Sequence, residues 1–150
     1  MPECEGKKAA AELYREALLA LYRQPLGSGP LPAGREWAEA SNRTCGDRVR
    51  FAVEKDGDTI LRCWQETAGC AVTTATASLL VRALPGRSVE AARSFFRDIE
   101  RPLASGGGEA SGTFPPEVEE LEAVRHLPSR RECVRTAVRA AERALAEAAP

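Results

Sequence analysis

Residues 48–65, RVRFAVEKDGDTILRCWQ, decide how this chain folds. From Arg48 to Glu54 apolar and polar side chains alternate, with Val49, Phe51 and Val53 on one face, as in a half-buried strand. Lys55-Asp56-Gly57-Asp58 follows, a polar stretch whose glycine suits a tight hairpin turn. Thr59 to Gln65 supplies the partner strand. Its two faces carry Leu61 with Cys63, or Ile60 with Arg62 and Trp64. The alternation does not choose between them; Leu61 and Cys63 are taken as the inward pair.

The remainder of the chain reads as helices and loops around this hairpin. Between Lys7 and Gln24, Leu13, Tyr14, Ala17, Leu18, Leu21 and Tyr22 recur at helical spacing, and Pro25 ends the run. Residues 26–36 form a Gly/Pro loop, Trp37 to Ala40 a helical turn, and a third strand is expected somewhere before residue 40. Ala71 to Leu84 is uniformly small or apolar and stops at Pro85-Gly86; Ser88 is placed to cap a helix running to Arg101. Residues 102–116, PLASGGGEASGTFPP, read as a flexible insertion. A short helix over Glu117–Arg125 and a last one over Arg131–Glu147 complete the chain. A parallel sheet needs regular strand–helix alternation, which is missing. The expectation is therefore a single α+β domain over residues 1–150, with a small antiparallel sheet packed against several helices.

Composition narrows the function classes. With 150 residues, 43% hydrophobic and 29% charged, the chain suits one soluble globular domain. A net charge of −1 removes the global electrostatic case for a nucleic-acid partner, although 18 of the 21 basic residues are arginine. No apolar run approaches the ~20 residues that span a bilayer. The N-terminal stretch mixes acidic and basic residues with no signal-peptide core, so no membrane partner and a cytoplasmic location are expected. Five cysteines, an odd number, argue for thiols or metal rather than a closed disulfide framework.

Three of the cysteines fall at element boundaries. Cys45 precedes the first strand of the hairpin, Cys70 follows the second and opens a helix, and Cys133 is placed in the first turn of the last helix. Free backbone N–H groups at helix starts favour the thiolate. Together with Asp47 they offer four donors, enough for a tetrahedral zinc site. Such a cluster carries a formal charge of about −2, which Arg43, Arg48, Arg130 and Arg131 are near enough in sequence to offset. The separations of 25 and 63 residues match no compact metal motif. Spacing alone therefore leaves a shared site and three small buried hydrophobes both open. Cys63, in mid-strand, reads as a buried hydrophobe, and Cys4 as an exposed thiol in a frayed terminus.

The same segments resemble the SufU branch of the IscU-like iron–sulfur scaffold family. Asn42 to Asp47 is similar to its Asn-Pro-Thr-Cys-Gly-Asp motif. Gly69-Cys70 followed by Ala75 to Leu80 is similar to its Gly-Cys and Ala-Ser-Ala-Ser-Met-Met segments. Leu127-Pro128-Ser129-Arg130 to Cys133 is similar to Phe-Pro-x-Arg-x-Lys-Cys. The resemblance covers nearly the whole chain in matching order, and an insertion over Ile99–Glu120 fits the SufU branch.

It implies that Cys45, Asp47, Cys70 and Cys133 bind zinc, and that Cys45 leaves the metal to accept persulfide sulfur. The sulfur would come from a SufS-like, pyridoxal-phosphate-dependent cysteine desulfurase and pass to downstream iron–sulfur assembly proteins. Arg130 would act electrostatically beside the metal. The alternative is a scaffold that assembles a [2Fe–2S] cluster, or binds iron, on the same cysteines. IscU-like scaffolds usually carry histidine immediately before the third cysteine; here Glu132 stands there, and His126 is the only histidine. Arg43 replaces the motif's proline and Glu132 its lysine. Gln65 stands where the family has an aromatic residue, so either Trp64 takes that place by a register slip or the core position is polar.

Overall fold

A computed structural model describes residues 2–104 and 112–149, with side chains from residue 11 onward. Its elements are α1 (Pro2–Arg23), β1 (Ala38–Asn42), β2 (Asp47–Asp56), β3 (Thr59–Ala68), α2 (Ala71–Ala83), α3 (Val89–Ala104), a 3-10 helix (Pro116–Val124) and α4 (Pro128–Glu147). The hairpin forms as expected: β2 and β3 pair antiparallel across the two-residue turn Gly57-Asp58. The third strand is β1, giving a sheet in the order β1-β2-β3 with antiparallel neighbours throughout.

β1 corrects the expected helical turn at Trp37–Ala40. Ala38 and Ala40 are buried while Glu39 and Ser41 are exposed, a period of two. Their small side chains let α4 lie close against the sheet, where its own Ala137, Ala140, Ala141 and Ala144 are buried.

The inward face of β3 also differs from expectation, in part. Cys63 is buried, but Leu61 is 51% exposed and Ile60 is 1% exposed. Lys55 pairs with Ile60 whereas Glu54 pairs with Arg62, so Leu61 is an extra residue, a bulge that resets the alternation. Ile60, Cys63 and Gln65 consequently share the core side. Gln65 is a polar core position rather than a register slip. Its Nε2 donates to the Leu26 carbonyl at 3.1 Å, and its Oε1 accepts from Thr67 Oγ1 at 2.7 Å. Trp64 lies on the other face opposite Ala52, also buried, with the Arg62 guanidinium 5.0 Å from its ring centroid.

Helix α2 runs through the middle, touching α1, α4, the sheet and the 3-10 helix. Thr73 to Leu80 are all buried, which explains why that segment is small or apolar on every side. Thr76 satisfies its hydroxyl within the helix, donating to the Val72 carbonyl at 2.7 Å. Ser88 caps α3 as expected, its Oγ accepting from the Ala91 N–H at 3.0 Å.

The helix boundaries extend past the sequence estimates in three places. Helix α1 starts at Pro2, which puts Cys4 in a helix rather than a frayed end; its side chain lies outside the described ones. Helix α3 continues through Pro102 to Ala104, and residues 105–111 of the expected flexible insertion lie outside the described residues. The end of that insertion is anchored: Phe114 is buried and lies beneath Arg125, which also donates to the Gly112 carbonyl. Helix α4 begins at Pro128, three residues before Arg131, because proline suits the first helical position.

Candidate metal centre

The site lies where the β1–β2 turn, the start of α2 and the early part of α4 meet. Asn42 shapes the turn: its Oδ1 accepts from the Thr44 N–H at 3.1 Å and its carbonyl accepts from the Gly46 N–H at 2.8 Å. Gly46 has φ +74°, a conformation other residues adopt at a cost. The turn leaves Cys45 exposed and delivers Asp47, 4% exposed, into the interior at the start of β2.

Asp47 is held from several sides. Its Oδ2 accepts from Thr73 Oγ1 at 2.6 Å, and its Oδ1 accepts from the Cys70 N–H at 3.2 Å. Gly69 allows this approach, since a Cβ there would stand 2.8 Å from Asp47 Oδ1. Burial alone would raise the carboxyl pKa, but the hydrogen bonds from Thr73, Cys45, the Cys70 N–H and Cys133 outweigh it and bring it below the ordinary value. The site therefore favours a carboxylate.

Cys70 is the N-cap residue of α2, as expected for a thiol that opens a helix. Its Sγ is 3.4 Å from Cys133 Sγ and 3.2 Å from Thr73 Oγ1. Cys133 departs from expectation. With α4 starting at Pro128 it lies in the second turn, its Sγ facing the Ser129 carbonyl of its own helix at 3.5 Å. It has no helix-start stabilisation. Burial instead pushes its thiol up to about 12, with the neighbouring Cys70 adding to the shift and Thr73 opposing it.

Cys45, Asp47 and Cys133 can each offer one donor atom within 4.8 Å of the others, a group able to hold a metal ion. Cys70 stands outside that group and adjoins it through its contact with Cys133. Two thiolates on one tetrahedral zinc, each about 2.3 Å from the metal, stand about 3.8 Å apart. The 3.4 Å between Cys70 and Cys133 is close to that spacing. A divalent cation would also offset the charge of deprotonated thiols crowded against a carboxylate. Thiolates and a carboxylate are donor types that zinc accepts.

The arginines divide unequally. Arg130 lies beside Cys70, and the Cys133 and Cys70 thiols raise its guanidinium pKa above the ordinary value. Arg48 instead pairs with Glu39 at 3.2 Å, and Arg131 turns to the Arg125 carbonyl. Glu132 points away from the thiols and pairs with Arg135 at 2.7 Å. His126 is exposed and outside the cluster. Thr73 escaped sequence reasoning. Its signal is the spacing Cys70-x-x-Thr73, which puts the third helical residue over the capping position.

The model of the NifU-like N terminal domain matches residues 13–147. The chain belongs to this family. It is similar to the zinc-dependent sulfurtransferase SufU of Bacillus subtilis (strain 168), 29% identical over 135 residues, 90% of each chain. The iron–sulfur cluster assembly scaffold protein IscU of Streptococcus pyogenes serotype M1 is also 29% identical, over 91% of this chain and 85% of its own. In fold, the chain is similar to a putative iron–sulfur cluster assembly scaffold protein for the SUF system from Fervidobacterium islandicum AW-1. There the TM-score is 0.73 at 22% identity, covering 87% of this chain and 94% of that one. These similarities establish the expected IscU/SufU-like fold. No helix among the described residues is long and apolar enough to cross a membrane.

Proposed function

We propose that this protein is a zinc-dependent sulfur acceptor and transferase, taking persulfide sulfur from a SufS-like cysteine desulfurase for iron–sulfur cluster assembly in the cytoplasm. The observation that carries the reading is the unequal mounting of the donors. Asp47 and Cys133 are buried and Cys70 is partly so, whereas Cys45 is exposed on a short turn. Zinc held by Cys45, Asp47, Cys70 and Cys133 would keep the thiols deprotonated without redox chemistry of its own. Cys70 and Cys133 are fixed by helices and serve as standing ligands; Cys45 can swing outward toward a partner. Its thiolate attacks the outer sulfur of the desulfurase persulfide, forming Cys45–S–SH and releasing the desulfurase thiolate. Arg130 holds positive charge beside the remaining thiolates through the exchange. Pyridoxal phosphate belongs to the desulfurase, and the sulfur passes on to downstream assembly proteins.

The likeness to IscU supports a second reading, assembly of a [2Fe–2S] cluster on the same cysteines. Glu132 weighs against it, because that side chain is engaged with Arg135 and Arg139 and offers the site no ligand. Aerobically purified protein should be colourless and hold about one zinc per chain; a brown, iron-bearing sample favours the scaffold. Brief reaction with desulfurase and L-cysteine, followed by non-reducing digestion and mass spectrometry, should place the added sulfur on the Cys45 peptide. Sulfur found mainly on the Cys133 peptide would overturn the assignment.

A further inference from the structure

Beside the metal centre a cavity of about 330 Å³ opens between α1, α2, the 3-10 helix and the start of α4. That is the low end of the roughly 300–1,000 Å³ found for small-molecule pockets. Leu18, Val72 and Val124 give it an apolar lining, and Cys70 stands on one wall. Arg15 from α1 and Arg130 from α4 also line it. Neither forms an ion pair with a carboxylate among the described residues. Two guanidinium groups, an apolar lining and a thiol thus share one space of small-molecule size.

We propose that this cavity binds a low-molecular-weight thiol bearing a carboxylate and presents it as acceptor of the sulfur held at Cys45. The proposal rests on the sulfur-transfer reading of the site. The carboxylate pairs with Arg15 and Arg130, the most favourable partners for a planar anion. The carbon stem lies on the apolar lining, and the thiol comes to rest on the Cys70 side. From there the route to Cys45 runs past Cys133, whose Sγ is 3.4 Å from Cys70 Sγ and within 4.8 Å of the Cys45 thiol. In the transfer the acceptor thiolate attacks the outer sulfur of Cys45–S–SH. A new S–S bond forms to the acceptor, the Cys45 S–S bond breaks, and Cys45 departs as a thiolate. The acceptor leaves as R–S–SH, and no outside oxidant or reductant is required.

The test uses the full-length zinc protein, loaded by desulfurase and L-cysteine and then separated from both. It is mixed with 3-mercaptopropionate or, at equal concentration, the uncharged 2-mercaptoethanol, and loss of the sulfur is followed by intact mass. The carboxylated thiol should discharge Cys45 about tenfold faster, the equivalent of one well-made charged contact. Arg15→Gln should bring the ratio of the two rates close to one. Equal rates in the unaltered protein, or a preference that survives Arg15→Gln, overturn the proposal. So does an Arg15→Gln protein that can no longer be loaded, since the cavity would then belong to the sulfur donor.

Failure of the unaltered protein to load at all would count against the sulfur-transfer reading instead. Occupancy of the cavity is then read without chemistry by titrating 3-(methylthio)propionate and following methyl resonances. Shifts of Val72 and Val124 that are lost in Arg15→Gln support the cavity site, and their absence at millimolar ligand overturns it.

Discussion

At the scale of single residues, close approach governs the site. Gly69 lies against the Asp47 carboxylate with no room for a methyl group. Gly69→Ala should push Asp47 away from Thr73 and the Cys70 N–H, lower the bound zinc well below one per chain, and destabilise the fold by about 1–3 kcal/mol. Metal analysis and denaturant unfolding of the variant check this; an unchanged zinc content would show that Asp47 is no ligand. Burial likewise separates the thiols. Cys63 is 3% exposed and its thiol is pushed up to about 12 by burial, whereas Cys45 is open to solvent. After zinc is chelated under native conditions, iodoacetamide should label Cys45 and leave Cys63 unmodified, as peptide mass mapping would report. Prompt labelling of Cys63 would contradict its place in the core. These distinctions were only half legible in sequence. Mid-strand position marked Cys63 as buried, but nothing local announced that Thr73 would reach Asp47, which lies in another element.

Among the elements, α4 shows how a helix combines a tight face with a charged one. Its alanines meet the sheet while Glu142, on the side toward α3, feels partial burial, the nearby Glu100 and the opposing pull of Arg139. Burial and Glu100 raise the Glu142 carboxyl above its ordinary value. The folded chain thus binds this proton more tightly than the unfolded chain. The associated stability is fully present below the unfolded pKa and is lost as pH rises through the folded one. Glu142→Gln should therefore stabilise the protein at pH 7, by about 0.5 kcal/mol or less because the group is solvent-exposed. The gain should vanish as pH falls below the ordinary carboxylate range. Denaturant midpoints at neutral and acidic pH test this, and an advantage that persists unchanged in acid would refute the electrostatic cause.

Over the whole molecule, a bound metal would add a link between the β1–β2 turn and the helices α2 and α4, which already pack on one another. Metal bound to the folded state only should stabilise by about 4 kcal/mol at a thousandfold excess over its dissociation constant. For a domain of this size that corresponds to a fall of roughly 8–16 °C in Tm when zinc is chelated. Calorimetry with and without chelator measures it. Cys63→Ala should keep this metal-dependent difference and Asp47→Ala should lose most of it. The reverse pattern would overturn the ligand set.

Read by itself, the sequence determined the antiparallel hairpin, the amphipathic first helix, the capped start of α3 and the alanine-rich last helix. Each rests on local periodicity or a local turn, forces that act within a few residues. It also marked Cys45, Asp47, Cys70 and Cys133 as candidate donors through family motifs, although their spacing alone left the question open. Tertiary structure decided the rest. The bulge at Leu61 answers to Ile60 reaching the core, a demand set by packing beyond the strand. β1 was obscured because two alanines carry little β signal until α4 covers them. The meeting of Cys70 with Cys133, 63 residues apart, exists only once α2 and α4 pack side by side. Long-range packing sets such distances, and no local pattern encodes them.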